Sequence, residues 1–316
     1  MKKISAVFIL LFTFVLLVIS GCIQQNGTEQ IVTPDRESKI PFNAVKMTQQ
    51  TDANPPLILS EEWNQPVPLP YPINTAGAED SAFILSDGKT LYFFFTPNVT
   101  VPVEKQILDG VTGIYVSTRN NTIWRKPERV LLQDSGMLAL DGAEFIKGNT
   151  MWFASAREGY SGVHWFTAEL RDEIWSDWQN ADFNVSYEVG ELHITDDGSE
   201  LYFHSDREGG KGGLDIWVSK KVNNEWQEPE NVAVVNTARD EGWPFVTYDN
   251  NELWVSRDFG VWRSKKVNGQ WIEPELIISP LAGECSLDSV GNIYFTHHFY
   301  TNDTMIEADI YVAYRK

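Results

Sequence analysis

Thr195-Asp196-Asp197-Gly198-Ser199-Glu200-Leu201-Tyr202-Phe203, then Ser205-Asp206-Arg207-Glu208-Gly209-Gly210, Asp215-Ile216-Trp217-Val218-Ser219 and Trp226-Gln227-Glu228-Pro229, make up the fullest copy of a unit that recurs from residue 78 to the end of the sequence. Its Leu-Tyr-Phe element returns as Leu91-Tyr92-Phe93, Met151-Trp152-Phe153, Leu253-Trp254-Val255 and Ile293-Tyr294-Phe295. A third element is marked by Tyr115, Trp165, Trp217, Trp262 and Tyr311, at spacings of 50, 52, 45 and 49 residues, the length that four short strands and their turns require. Asp87-Gly88, Asp197-Gly198 and Asp249-Asn250 separate the first two strands of their units, and Asn223-Asn224 and Asn268-Gly269 the last two, residue types that tolerate the positive φ of tight hairpins. The near identity of Ser219-Lys220-Lys221-Val222-Asn223-Asn224-Glu225-Trp226 and Ser264-Lys265-Lys266-Val267-Asn268-Gly269-Gln270-Trp271 points to duplication.

A Trp-x-x-Pro motif closes three units, at Trp124 and Pro127, Trp226 and Pro229, and Trp271 and Pro274; the second unit has Trp175 and Trp178 instead. The fifth unit lacks it, while an orphan copy, Trp63-Asn64-Gln65-Pro66, precedes the first. A ring whose last blade takes its outer strand from the N-terminal side accounts for both facts and leaves no free sheet edge. The expectation is an all-β, five-bladed propeller over residues 56–316, closed by an N-terminal strand.

Met1-Lys2-Lys3, the apolar run Ile4 to Ile19 and the tetrapeptide Ile19-Ser20-Gly21-Cys22 have the order of an export signal ending in a lipobox. Residues 1–21 are expected to be a signal peptide, Cys22 the lipidated residue, and 22–55 a disordered tether poor in large apolar side chains. That places the propeller in the cell envelope, outside the cytoplasm, held to the membrane by lipid. Cys285 then remains without a disulfide partner, so the core must hold the fold alone. With 25 Lys and Arg against 44 Asp and Glu, a net charge of −19, nucleic acid is not an expected partner.

The Asp-Gly-x-x-Leu-Tyr-Phe, Ser-Asp-Arg-x-Gly-Gly and Asp-Ile-Trp-Val-Ser strings resemble the TolB-type, WD-repeat-like propeller repeats of prokaryotic envelope proteins, over residues 78–316. The resemblance implies the fold, the compartment and a habit of binding proteins or ligands.

Acids open every inner strand: Glu79 and Asp80, Asp141 and Glu144, Glu191, Glu241, and Glu284. Inner strands line a propeller's channel, so these carboxylates would gather at one mouth, with His193 and Trp243 near them. Acids at the same place in every repeat serve the repeated structure; acids at uneven places signal chemistry. The reading put first is a non-catalytic, monomeric envelope protein that binds a protein partner or a surface glycan through the channel mouth. The alternative is a glycoside hydrolase. Five-bladed propellers include the arabinanase-type enzymes, and likeness to them implies Asp80, Asp141 and Glu191 as a catalytic trio. No cofactor is expected. Histidine spacing gives no metal motif, and Asp206 with Asp215 is a weak calcium-loop candidate.

Overall fold

Each Leu-Tyr-Phe element lies in the second strand of an antiparallel meander. Leu91, Tyr92 and Phe93 are all buried, as are Leu201, Tyr202 and Phe203. A sheet with one wet face would leave the middle residue exposed, so both faces of these strands are covered by neighbouring sheets. The computed structural model describes residues 33–182 and 190–316; the expected signal peptide and lipidation site, Cys22, lie outside the described residues.

The chain is a β-propeller of successive four-strand meanders. The first unit pairs Ala78–Ile84, Thr90–Thr96, Gly113–Asn120 and Glu128–Arg129; the second pairs Ala139–Lys147, Thr150–Arg157, His164–Arg171 and Ile174–Asn180. Leu192–Ile194, Glu200–Ser205, Asp215–Val222 and Glu230–Asn231 follow, then Glu241–Val246, Glu252–Arg257, Gly260–Val267 and Glu275–Ser279. Register corrects one marker of the repeat. Tyr115, Trp217, Trp262 and Tyr311 pair with the third residue of their Leu-Tyr-Phe elements, but in the second unit Phe153 faces Phe166, so Phe166 and not Trp165 is the equivalent residue.

The last unit, Ala282–Leu287, Ile293–Thr301 and Thr304–Ala313, receives Val67–Pro68 as its outer strand, Val67 opposite Val312 and Pro68 opposite Tyr311. This is the register of Glu128 opposite Val116 and Arg129 opposite Tyr115 in the first unit. Trp63 bridges to Arg315 as Trp124 pairs with Arg119, so the orphan Trp-x-x-Pro sits where its relatives sit. Trp63 is 1% exposed, donates from Nε1 to Gly291 O at 2.7 Å and meets the Trp254 ring edge-on at 5.7 Å.

The expected disordered tether is corrected over residues 33–55, which are ordered against the first and last units. Polar side chains do what apolar ones do not. Arg36 is 3% exposed, pairs with Glu79 at 3.1 Å, donates to the carbonyls of Pro72 and Ile73, and lies over the Phe95 ring at 4.9 Å. Lys46 reaches Glu307 and Asp309, and Asp52 meets His297 Nε2 at 2.8 Å. Low apolar content fails as a sign of disorder where charges are buried in pairs.

Candidate active site

Among the described residues, four inner strands break register at one place: between Asp80 and Phe83, Gly142 and Phe145, Gly242 and Phe245, and Gly283 and Ser286. The residue after the break is left-handed in each, with φ of 51° at Ser81, 53° at Ala143, 52° at Trp243 and 53° at Glu284. Such bulges turn side chains out of the pleat, here toward the channel. In the third unit, counting back from His193 opposite Tyr202 puts Glu191 at the position of Ser81 and Gly190 at that of Asp80. Where the first unit has Asp80, the others have glycine. A Cβ on Gly142 would come within 3.1 Å of the Phe94 ring, and one on Gly242 within 3.3 Å of His204, so side chains from other strands occupy that space.

This alignment sorts the acids into two kinds. Glu79, Asp141 and Glu241 hold one repeat position, are buried, and serve the scaffold. Thr75 donates its N–H and hydroxyl to Glu79 at 2.9 and 2.6 Å, and Thr237 does the same to Glu241 at 3.0 and 2.6 Å. One residue earlier, Asn74 brackets the N–H and carbonyl of Ile310 in the last unit, and Asn236 those of Ile216 in the third. The shared Asn-Thr-Ala-x-x-Glu string therefore locks the crossing from one sheet to the next. Asp141 accepts from Ser155 at 2.6 Å and pairs with Arg157 at 2.8 Å; Arg257 stands 3.7 Å from Glu241.

Asp80 and Glu144 stand where no other unit has an acid, and Glu191 and Glu284 share the position of Ser81 in the third and last units only. Glu144, Glu191 and Glu284 line a small cavity of about 60 Å³ with His193 and Trp243, a lining that contains no Lys or Arg. The trio Asp80, Asp141 and Glu191 is corrected accordingly: Asp141 is spent on Arg157 and Ser155, and Glu144 faces the cavity from the same strand. Glu79 and Glu241 are likewise withdrawn as channel-mouth candidates. Glu284 Oε2 accepts from Ser81 N–H and Oγ–H at 3.0 and 2.9 Å, tying the last unit to the first. Both carboxyl oxygens of Glu144 are buried without a hydrogen-bond partner among the described residues.

The environments push these carboxyls apart. Burial, then the charge of Asp80, raises Glu191 to about 8. Glu144 and Glu284 are held well above the ordinary carboxylate range, by burial first and then by their charged neighbours. Burial works on Asp80 in the same direction, but the His298 ring beside it, Glu284 and the Ser81 N–H outweigh it and hold Asp80 well below the usual value. His298 was not foreseen. Its Nε2 stands 3.6 Å from Asp80 Oδ1, and the one signal available was strand alternation, which sends His297 and His298 to opposite faces. Donor atoms of Asp80, Glu284 and His298 lie within 4.8 Å of one another, a spacing at which a cation could be held.

His193 packs between the Phe145 and Phe245 rings at 4.9 and 4.8 Å, and its burial, with the nearby Lys147, keeps it neutral with a pKa lowered to about 3. Trp243 lines the small cavity and also a neighbouring one of about 520 Å³, shared with Glu284, His298, Tyr300 and Phe259. The larger cavity has the size of a small-ligand site. The buried Nε1–H of Trp243 has no hydrogen-bond partner among the described residues. In the calcium-loop candidate, Asp215 accepts from the N–H groups of Lys211 and Gly212, so its oxygens brace the loop itself.

No family model matches this chain, and no curated protein matches it in sequence. Solved structures do. The chain is similar to an endo-arabinase from Bacteroides thetaiotaomicron at 13% identity and a TM-score of 0.47, with 79% of this chain and 97% of that one covered. It is similar to a gluconolactonase from Xanthomonas campestris at 12% and 0.47, covering 84% and 96%, and to a TolB homologue from Agrobacterium tumefaciens at 14% and 0.33, covering 64% and 81%. These likenesses bear on the fold: the relatives are propeller-like proteins at low identity. The expectation of a non-catalytic binding module is corrected to this extent: the solved structures to which the chain is similar include an endo-arabinase and a gluconolactonase, and those activities are stated of those proteins alone.

Proposed function

We propose that the channel mouth is the active site of a hydrolase that cleaves glycosidic bonds with carboxyl groups as acid and base. The observation that carries this reading is the gathering of Glu144, Glu191 and Glu284 around one cavity without Lys or Arg, beside the Asp80–His298 pair, in surroundings that favour the charged form of Asp80 and the neutral form of the three glutamates. Acid and base assignments follow from such a split, because hydrolysis needs a proton given to the leaving oxygen and one taken from water. Glu191, half-buried and protonated at neutral pH, gives its proton to the leaving oxygen as the C–O bond breaks. Asp80 takes the proton of the water that adds to the sugar carbon. Burial favours the neutral form of Glu144 and Glu284; Glu284 then gives its hydroxyl to Asp80, and Glu144 is left to meet the substrate. The cavity of about 520 Å³ accommodates a sugar unit beside the smaller one that Glu191 lines, the two sharing Trp243 and Glu284, with the Trp243 ring as platform.

The test is release of reducing ends from a panel of plant and microbial glycans by purified residues 33–316. Cleavage that is lost in both Asp80→Asn and Glu191→Gln supports the reading. A wild-type protein that cleaves no member of the panel, or variants that cleave as well as it does, overturn it.

Three further readings belong with this one. The successive meanders are proposed to be the blades of a five-bladed ring, supported by the in-register seat of Val67–Pro68 on the last unit. Descent from TolB-type repeats is supported by the repeat strings themselves. Attachment to the membrane through Cys22, outside the cytoplasm, is supported by the lipobox, and loss of lipid labelling in Cys22→Ser is its measurement.

A further inference from the structure

The residues N-terminal to the propeller touch the acid cluster through a short chain of hydrogen bonds. Asp52 Oδ2 lies 2.8 Å from His297 Nε2, with side chains 5% and 0% exposed. On the other side of that ring, Nδ1 lies 3.1 Å from the carbonyl oxygen of Leu281. A carbonyl accepts only, so a hydrogen on Nδ1 satisfies that contact, and Nε2 faces the Asp52 carboxyl. The same Leu281 carbonyl accepts the backbone N–H of His298 at 2.9 Å. His298 then presents its ring to Asp80, while the strand that starts after Leu281 carries Glu284.

Leu281 O is therefore a hub. It fixes the backbone of His298 and the entrance to the Glu284 strand, and it is itself held by the His297 ring, whose far nitrogen is held by Asp52. Leu281 is left-handed, with φ of 54°, a backbone state that a leucine keeps only when its surroundings impose it. We infer that Asp52 is a positioning residue for the acid cluster, acting through His297 and Leu281 to set where His298 meets Asp80. The segment 33–55 is by this account part of the active site's support, not only a connection to the propeller. The inference rests on the hydrolase reading for its consequence in activity, but the placement of His298 is independent of it.

The Asp52 side chain has two jobs that substitution separates. Oδ1 accepts the N–H of Asn54 at 2.9 Å, forming a local turn, and Oδ2 meets His297. Asn at 52 keeps both, since its oxygen accepts from Asn54 and its amide donates to a His297 that carries its hydrogen on Nδ1. Ser at 52 keeps an acceptor for the turn and falls short of His297. The experiment records the Cε1–Hε1 resonance of His298 in histidine-labelled protein, alongside kcat and KM on a cleaved glycan, for wild type, Asp52→Asn and Asp52→Ser. Loss of such a supporting contact typically costs 10- to 100-fold. Asp52→Ser is expected to move the His298 resonance and lower kcat about tenfold with KM within about twofold, and Asp52→Asn to restore both.

A His298 resonance that stays in place in Asp52→Ser, with only the melting temperature lowered, overturns the inference. A resonance that moves as expected in a wild-type background that cleaves nothing leaves the positioning role standing and removes the hydrolase reading instead.

Discussion

His298 Nε2 stands 3.6 Å from Asp80 Oδ1, and through this pair a carboxyl that burial pushes toward neutrality is held to its charged form beside carboxyls that burial pushes to the neutral form. The His298 ring comes from the second strand of the last unit and Asp80 from the inner strand of the first. The pair thus forms across the place where the two ends of the repeat array meet.

The pH profile of glycan cleavage follows from this pair. Glu191 must be protonated to give its proton away, and its pKa is raised to about 8, so kcat/KM should fall about tenfold per pH unit above pH 8. Asp80, held low, puts no acid limb near neutrality. In His298→Ala, burial is no longer offset by the His298 ring and raises Asp80, and an acid limb should appear so that the variant loses more activity at pH 5 than at pH 7.

Stability should carry the same signature with the sign set by Glu191. A carboxyl raised from its ordinary value of 4.5 to about 8 favours the folded state while it is neutral, and that contribution is lost as pH rises through about 8. Glu191→Gln removes the proton-linked loss. Its melting temperature should match wild type at pH 5 and exceed it at pH 9 by about 3 °C or more; equal differences at both values would contradict the assignment.

Trp63→Ala tests the closure. The side chain fills a site between Trp254 and the cations of Arg263 and Arg315, each about 5.0 Å from its ring. Truncating a buried tryptophan costs about 3–5 kcal/mol, so thermal unfolding of the whole domain should drop by about 10 °C. Unchanged melting would mean that the N-terminal strand contributes nothing to the ring.

Arg36→Met tests the contact of the 33–55 segment with the first unit. It leaves Glu79, which is 0% exposed, without its ion-pair partner, at a cost of about 3–5 kcal/mol in urea unfolding. Adding Glu79→Gln should recover most of the loss, since the uncompensated charge is then gone. A double variant as unstable as the single one would show that Arg36 acts through its bonds to the Pro72 and Ile73 carbonyls and its packing on Phe95, not through Glu79.

The fold was legible because its signals are local. Asp-Gly turns, Leu-Tyr-Phe strands and the orphan Trp63-Asn64-Gln65-Pro66 each name their place without help from distant residues. The acids were visible as a group, but their division was not. Glu79 and Asp80 are adjacent, yet one is taken by Thr75 and Arg36 and the other by His298, partners 4, 43 and 218 residues away in sequence. The bulge that turns Glu144 inward while Asp141 meets Arg157 is a register event, invisible in composition. Residues 33–55 misled for the opposite reason: their few apolar side chains say nothing about Arg36, Lys46 and Asp52 finding buried partners.

The most direct measurement is a carbon-detected NMR titration of the side-chain carboxyls of Asp80 and Glu191 in protein labelled at Asp and Glu, assigned with Asp80→Asn and Glu191→Gln. The account predicts that at pH 7 the Glu191 carboxyl is protonated and titrates near 8, while Asp80 is ionised and does not titrate above the usual aspartate range. A Glu191 that ionises at an ordinary pH of about 4 to 5, as an exposed glutamate does, would contradict it, because the cluster would then hold no acid to set against its base.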